Sequence, residues 1–194
     1  MATSQHFLAT ARDFQSHNDQ LALGLYLEST LTQIQGQGSA DAEDLRNGID
    51  SLAQQLSKPL SHYTELLEAA KKQALETRQR AFAPFSNFLV GATLIAEDES
   101  FSIGCNVECS SYGLTICAER TALVSAVAHG KRRFLGVVVA ADTDNLTPPC
   151  GACRQLLYDF APDALVVLVN LQGTEKRFTM KELLPEAFSA AFLA

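Results

Sequence analysis

Three cysteines constrain the folding of this chain more than any other feature. Cys117 opens the run Cys117-Ala118-Glu119-Arg120, and two more thiols stand in Pro149-Cys150-Gly151-Ala152-Cys153. Their spacing suits one shared metal ion, so the chain must bring both segments to a single point. Zinc takes four tetrahedral ligands, and three protein ligands leave one position open to water. Such a water becomes a usable nucleophile near neutral pH when a base takes its proton. Glu119 is poorly placed to be a fourth ligand if Cys117 starts a helix, because residues two apart point to different sides. It can instead stand beside the water and move protons. These residues describe a hydrolytic zinc enzyme.

The rest of the chain supplies helices and strands to frame that point. Apolar residues recur at helical intervals from residue 5 to 35, and Gly36-Gln37-Gly38-Ser39 breaks the pattern. A second helix is expected from Asp41 through Leu56, ended by Lys58-Pro59, and a third over Ser61 to Arg80. The first two cannot bury their apolar faces alone and should pack on the main domain or on another subunit. Leu89–Ala96 and Ser100–Cys105 read as a hairpin closed by Glu97-Asp98-Glu99. Cys117–His129 reads as a helix stopped at Gly130, and Cys150–Phe160 as another. Phe134–Ala141 and Ala164–Asn170 are apolar strands suited to burial on both faces, and Arg177–Thr179 suits a sheet edge. Alternating strands and helices imply a layered α/β core.

Composition narrows the setting. Apolar residues make up 47% and charged residues 19% of 194, which suits a soluble globular chain. The longest apolar runs are strand-sized, and the first twenty residues carry no basic-then-apolar leader, so a cytoplasmic location with no membrane contact is expected. The net charge of −7 argues for a small neutral substrate and against nucleic acid. Lys131-Arg132-Arg133 reads as solvated surface, as do His6 and His17. Cys105 and Cys109 read as small buried side chains.

Several blocks, in order, resemble the free-nucleoside cytidine deaminases of the three-cysteine, homotetrameric type. They are Ala83-Pro84-Phe85-Ser86-Asn87-Phe88, Gly104-Cys105-Asn106-Val107-Glu108 and Ser111 through Arg120. Pro149 through Gln155 and Glu182 through Phe188 complete the set. C-A-E followed by P-C-x-x-C is itself a zinc deaminase signature. The likeness spans roughly residues 61 to 190. It implies a three-layer α/β/α fold with a mixed five-stranded sheet. The expected organisation is a helical extension of unknown role over 1–58 and a zinc-dependent deaminase domain over 59–194.

The resemblance also assigns roles. Zn²⁺ falls to Cys117, Cys150 and Cys153, and Arg120 offsets the charge of the thiolates by bonding to their sulfurs. Glu119 takes a proton from the zinc-activated water, delivers it to N3 of cytosine and helps the amino group leave. Cytidine and 2′-deoxycytidine thereby become uridine and 2′-deoxyuridine plus ammonia, a reaction of pyrimidine salvage. Asn106 and Glu108 match a pair that bonds the ribose 3′-hydroxyl, Phe88 lines the base pocket, and the backbone at Ala118 touches the base. Tyr112 and Phe188 match residues contributed across the interface of a homotetramer. The chain departs from the pattern at Cys109, at Pro148 and in its N-terminal helices. Alternatives remain: a structural zinc module closed by Cys105, Cys109 or His129, a deaminase of polynucleotides, and a deaminase of a cytosine antibiotic such as blasticidin S.

Overall fold

The computed structural model describes residues 4–16 and 19–193. His17 lies outside them, and His6 is exposed. The chain divides into two compact units, Met1–Leu67 and Glu68–Ala194.

The first unit holds α1 (Ser4–Ser16), α2 (Gln20–Ile34) and α3 (Ala40–Ala53). The single long helix expected over 5–35 is thus two helices. The carboxylate of Asp19 accepts a hydrogen bond from the Ala22 N–H at 3.0 Å, which satisfies a free donor at the start of α2. Apolar spacing continues on both sides of Asp19, so periodicity alone does not reveal the break. Residues Leu21 to Ser29 of α2 are all buried. Tyr26 stacks on Phe7 at 5.6 Å and meets Phe14 edge-on, so these helices share an aromatic core of their own.

The second unit is a mixed sheet between helices. Its strands are β1 (Val90–Ala96), β2 (Phe101–Cys105), β3 (Phe134–Ala141), β4 (Leu165–Val169) and β5 (Glu175–Thr179). They lie in the order β2-β1-β3-β4-β5, with β3 and β4 parallel and the other neighbours antiparallel. β1, β3 and β4 are buried at every residue, as expected for central strands covered on both faces. The edge strand β5 begins two residues before the expected Arg177.

Two glycines show what covers the two faces. Gly91 points at α4 (Leu60–Arg78): a methyl group there would lie 2.1 Å from the Ala74 carbonyl oxygen. Gly104, paired with Ala92 one residue further along β1, points the other way. There a methyl group would lie 2.3 Å from the Ala122 nitrogen of α5 (Ala118–Ala128). Residues without side chains let both helices sit directly on the hairpin. On the α5 face, Ala92, Leu94, Val137, Val139, Val166 and Leu168 form one core with α5, with Leu157 of α6 (Gly151–Phe160) and with Met180 of the short α7 (Met180–Leu183).

At the α4 face, Glu175 on β5 accepts from Lys71 at 2.8 Å and from Arg177 at 2.9 Å, and Lys71 also meets Glu68 at 2.5 Å. Burial pushes the Glu175 carboxyl upward, but its two cationic partners outweigh that and hold it below the usual value of 4.5. A carboxylate with a depressed folded-state pKa stabilises the fold above its unfolded pKa and loses that contribution as pH falls through the folded value. Glu175→Gln is therefore expected to melt lower than the wild type at neutral pH, with the difference shrinking below pH 4.5. Melting curves across that range check it, and a constant difference would count against the pairing.

Candidate active site

The sheet carries two helix starts to one place. Cys117 is the N-cap of α5 and Cys150 the N-cap of α6, both in extended backbone, and neither thiol caps its own helix. Cys153 follows in the first turn of α6 and is fully buried. The three sulfurs lie within 4.8 Å of one another, with Cys117 and Cys150 separated by 3.8 Å. Tetrahedral zinc with Zn–S bonds of about 2.3 Å requires sulfurs about 3.8 Å apart, so the donor set fits this ion. Soft thiolates also favour zinc over magnesium or calcium. Among the described residues this is the one such metal-sized cluster, and Cys105, Cys109, His129 and Glu119 stand outside it. A closed structural site therefore lacks its fourth ligand there.

Both helices aim free N–H groups and partial positive charge at the sulfurs, which favours thiolates. Cys117 is lowered to about 5, first by a hydrogen bond from Cys153 and then by Arg120 and Cys150. The same bond pushes Cys153 upward. Arg120 donates to the Thr115 carbonyl at 2.8 Å and reaches the Cys117 sulfur at 3.7 Å, and its Nε is buried with no partner among the described residues. The guanidinium thus lies against the thiols whose charge it can offset.

Glu119, one residue into α5, is only 4% exposed among buried Ala118 and Ala122. Burial pushes its carboxyl up to about 7, with the charge of Cys117 adding to the rise. A carboxyl in that range both accepts and donates protons near neutrality.

Backbone pairing ties together the segments that precede Cys117. Val107 bridges Phe82 on one side and Ile116 on the other, so the Asn106–Glu108 stretch lies between the Phe82–Val90 loop and the approach to Cys117. Asn106 accepts from the Val90 N–H and donates to the Phe88 carbonyl, both at 2.8 Å. Glu108 accepts from the N–H groups of Phe85 and Ser86 at 2.9 and 3.2 Å and from the Ser86 hydroxyl. Asn87, at the turn of this loop, has φ +56°, a conformation asparagine tolerates better than most residues. Phe88 is exposed, Tyr112 is 72% exposed and packs edge-on against Phe85, and Phe188 is 57% exposed and stacks on Phe192.

The expected burial of Cys105 and Cys109 does not hold: both are partly exposed. Cys105 ends the edge strand β2, and Cys109 lies in the loop after it. Sequence reasoning also assigned no role to Ser86, Thr115 or Gly104, which anchor Glu108, Arg120 and α5. Ser86 acts through its N–H and hydroxyl, Gly104 through the lack of a side chain and Thr115 through its backbone carbonyl, and none of these is a specific sequence signal.

The fold and site together define a layered α/β hydrolase with a three-thiol zinc centre. The family model described as "Cytidine and deoxycytidylate deaminase zinc-binding region" matches residues 64–169. A cytidine deaminase from Halalkalibacterium halodurans is 49% identical over 120 residues, covering 61% of this chain and 91% of the relative. A probable cytidine deaminase from Dictyostelium discoideum is 45% identical, covering 64% and 85%. The crystal structure of cytidine deaminase from Burkholderia pseudomallei matches with a TM-score of 0.60 at 45% identity, over 62% of this chain and 98% of that one. The chain belongs to the cytidine and deoxycytidylate deaminase family of zinc-dependent hydrolases.

Proposed function

We propose that this enzyme hydrolyses cytidine and 2′-deoxycytidine to their uridine counterparts and ammonia. The observation that carries this reading is a buried carboxyl, Glu119, one residue into a helix whose N-cap thiol joins two others around a zinc-sized point. Cys117, Cys150 and Cys153 would hold Zn²⁺, which when bound supplies the Lewis acidity that makes water nucleophilic near neutral pH. Glu119 accepts the proton of the attacking water and passes it to N3 of the ring. It then takes the remaining proton from the new C4 hydroxyl and gives it to the departing amino nitrogen as the C4–N4 bond breaks and the C4 carbonyl forms. Arg120 balances the thiolate charge that would otherwise hold the water's proton in place.

Asn106 and Glu108 suit a sugar hydroxyl even with their loop bonds made. The Asn106 amide keeps a second N–H, and the Glu108 oxygens keep accepting capacity. A hydroxyl is both acceptor and donor, so one side chain meets each half of it. Phe88 and the Ala118 backbone line the base. Exposed Tyr112 and Phe188 find their use in a homotetramer, where each completes the site of a neighbouring copy. Residues 59–194 make up the deaminase domain, and 1–58 are an extension to it. The enzyme serves pyrimidine salvage in the cytoplasm. The net charge of −7 suits a neutral nucleoside better than a polyanion.

The test is the absorbance loss of cytidine and deoxycytidine on incubation with purified protein. Rapid loss, abolished by a chelator and restored by zinc, is expected. A zinc-replete sample inert on both nucleosides would reject the reading. Turnover of blasticidin S alone would move it to the antibiotic, and a Bacillus cereus blasticidin-S deaminase is 32% identical over 104 residues.

A further inference from the structure

We infer that Arg154 and Gln155 are positioning residues that mount the zinc loop and the Phe188 segment on one helix turn. The inference rests on the deaminase reading above. The Arg154 side chain touches the carbonyl that leads into Cys150. Its Nε donates to the Pro149 carbonyl at 2.7 Å, while the 2.9 Å bond from the Arg154 backbone N–H to the Cys150 carbonyl is the ordinary first bond of α6. The Pro149 carbonyl belongs to the peptide that leads into Cys150, so its orientation sets where that thiol points. Pro148 and Pro149 have no N–H to fix the loop by backbone pairing. The Cys150 thiol is the most exposed of the three and makes no capping bond of its own. The side chain of Arg154 supplies the restraint that the loop lacks.

The same guanidinium reaches the C-terminal segment. Its Nη1 donates to the Leu183 carbonyl at 2.9 Å, at the end of α7 where helix carbonyls lack internal partners. Five residues on, the Gln155 side-chain amide donates to the Phe188 carbonyl at 2.9 Å. The stretch between these anchors contains Pro185, without a donor, and Glu186 at φ +54°. Two adjacent residues of α6 therefore pin both ends of a segment with little regular bonding of its own. A planar guanidinium with five donors can span two carbonyls, whereas an ammonium serves one site at a time.

The two ties act on different quantities. Arg154 governs how firmly the thiols keep zinc, and Gln155 governs where Phe188 stands and hence substrate affinity. Arg154→Met, Arg154→Lys and Gln155→Ala separate them. Zinc release to a chromogenic chelator, read without substrate and well below each melting temperature, is expected to quicken about 10- to 100-fold in Arg154→Met. Arg154→Lys should recover part of that loss. Gln155→Ala should release zinc at the wild-type rate, raise KM for cytidine about tenfold, and speed amide exchange in the peptide around Phe188.

Wild-type zinc release in Arg154→Met overturns the inference. If that variant does not fold, wild-type release in Arg154→Lys does so instead. Equal losses in kcat and KM for Arg154→Lys and Gln155→Ala also overturn it, because a merely structural role would not split them. Inert wild-type protein would sink the deaminase reading alone. Zinc release and exchange around Phe188 would still decide whether the two ties exist.

Discussion

Glu119→Gln is expected to fold and bind one zinc while losing turnover of cytidine by about 10²- to 10⁴-fold. The amide has nearly the shape of the carboxyl it replaces, which matters at a side chain only 4% exposed. It cannot take a proton from water and return it to a leaving nitrogen. The thiol cluster does not include Glu119, so the metal should stay. Steady-state rates beside metal content per chain check this, and a variant with near-normal kcat would remove the proton-shuttle role.

Gly104→Ala is expected to damage fold and activity together. The added methyl carbon would lie 2.3 Å from the Ala122 nitrogen, 2.4 Å from the Ala118 carbonyl oxygen and 2.9 Å from the Ala122 Cα. All three are backbone atoms of α5, so no side chain can swing away and the helix itself must lift. Overpacking of this kind costs about 1–3 kcal/mol or more, and it displaces the turn that carries Cys117, Glu119 and Arg120. A fall in Tm of about 2–12 °C with lower kcat in the remaining folded enzyme is expected. Gly113, where a methyl group meets nothing within 4 Å, is the control. Its Ala variant should stay within about 0.5 kcal/mol of wild type. Equal stability of the two variants would contradict the close approach of α5 to β2.

Different parts of this architecture were legible to different degrees, for physical reasons. Phe134–Ala141 read as a central strand because only a strand covered on both faces tolerates apolar residues without interruption, and β3 has those bounds. The thiols read as one metal site because three soft donors at this spacing have few other uses, and they do converge. The N-terminal helices misled because apolar periodicity continues across Asp19, whose capping bond splits them. Asn106 and Glu108 read as sugar contacts by resemblance, yet neither pattern nor spacing disclosed that they also fasten the Phe85–Val90 loop.

By itself, the sequence determined the donor set, the carboxyl beside it, the alternation of strand and helix, and the family. The first three follow from residue chemistry and from periods of two and 3.6, which are local quantities, and the family follows from the resemblance of its motif blocks. Only the tertiary structure decided that Gly104 must lack a side chain and that Arg154 joins Pro149 to Leu183. Each is a contact between segments that the sheet order brings together. Sequence spacing reports which faces are buried, whereas the identity of the partner across a buried face exists only once the chain has packed.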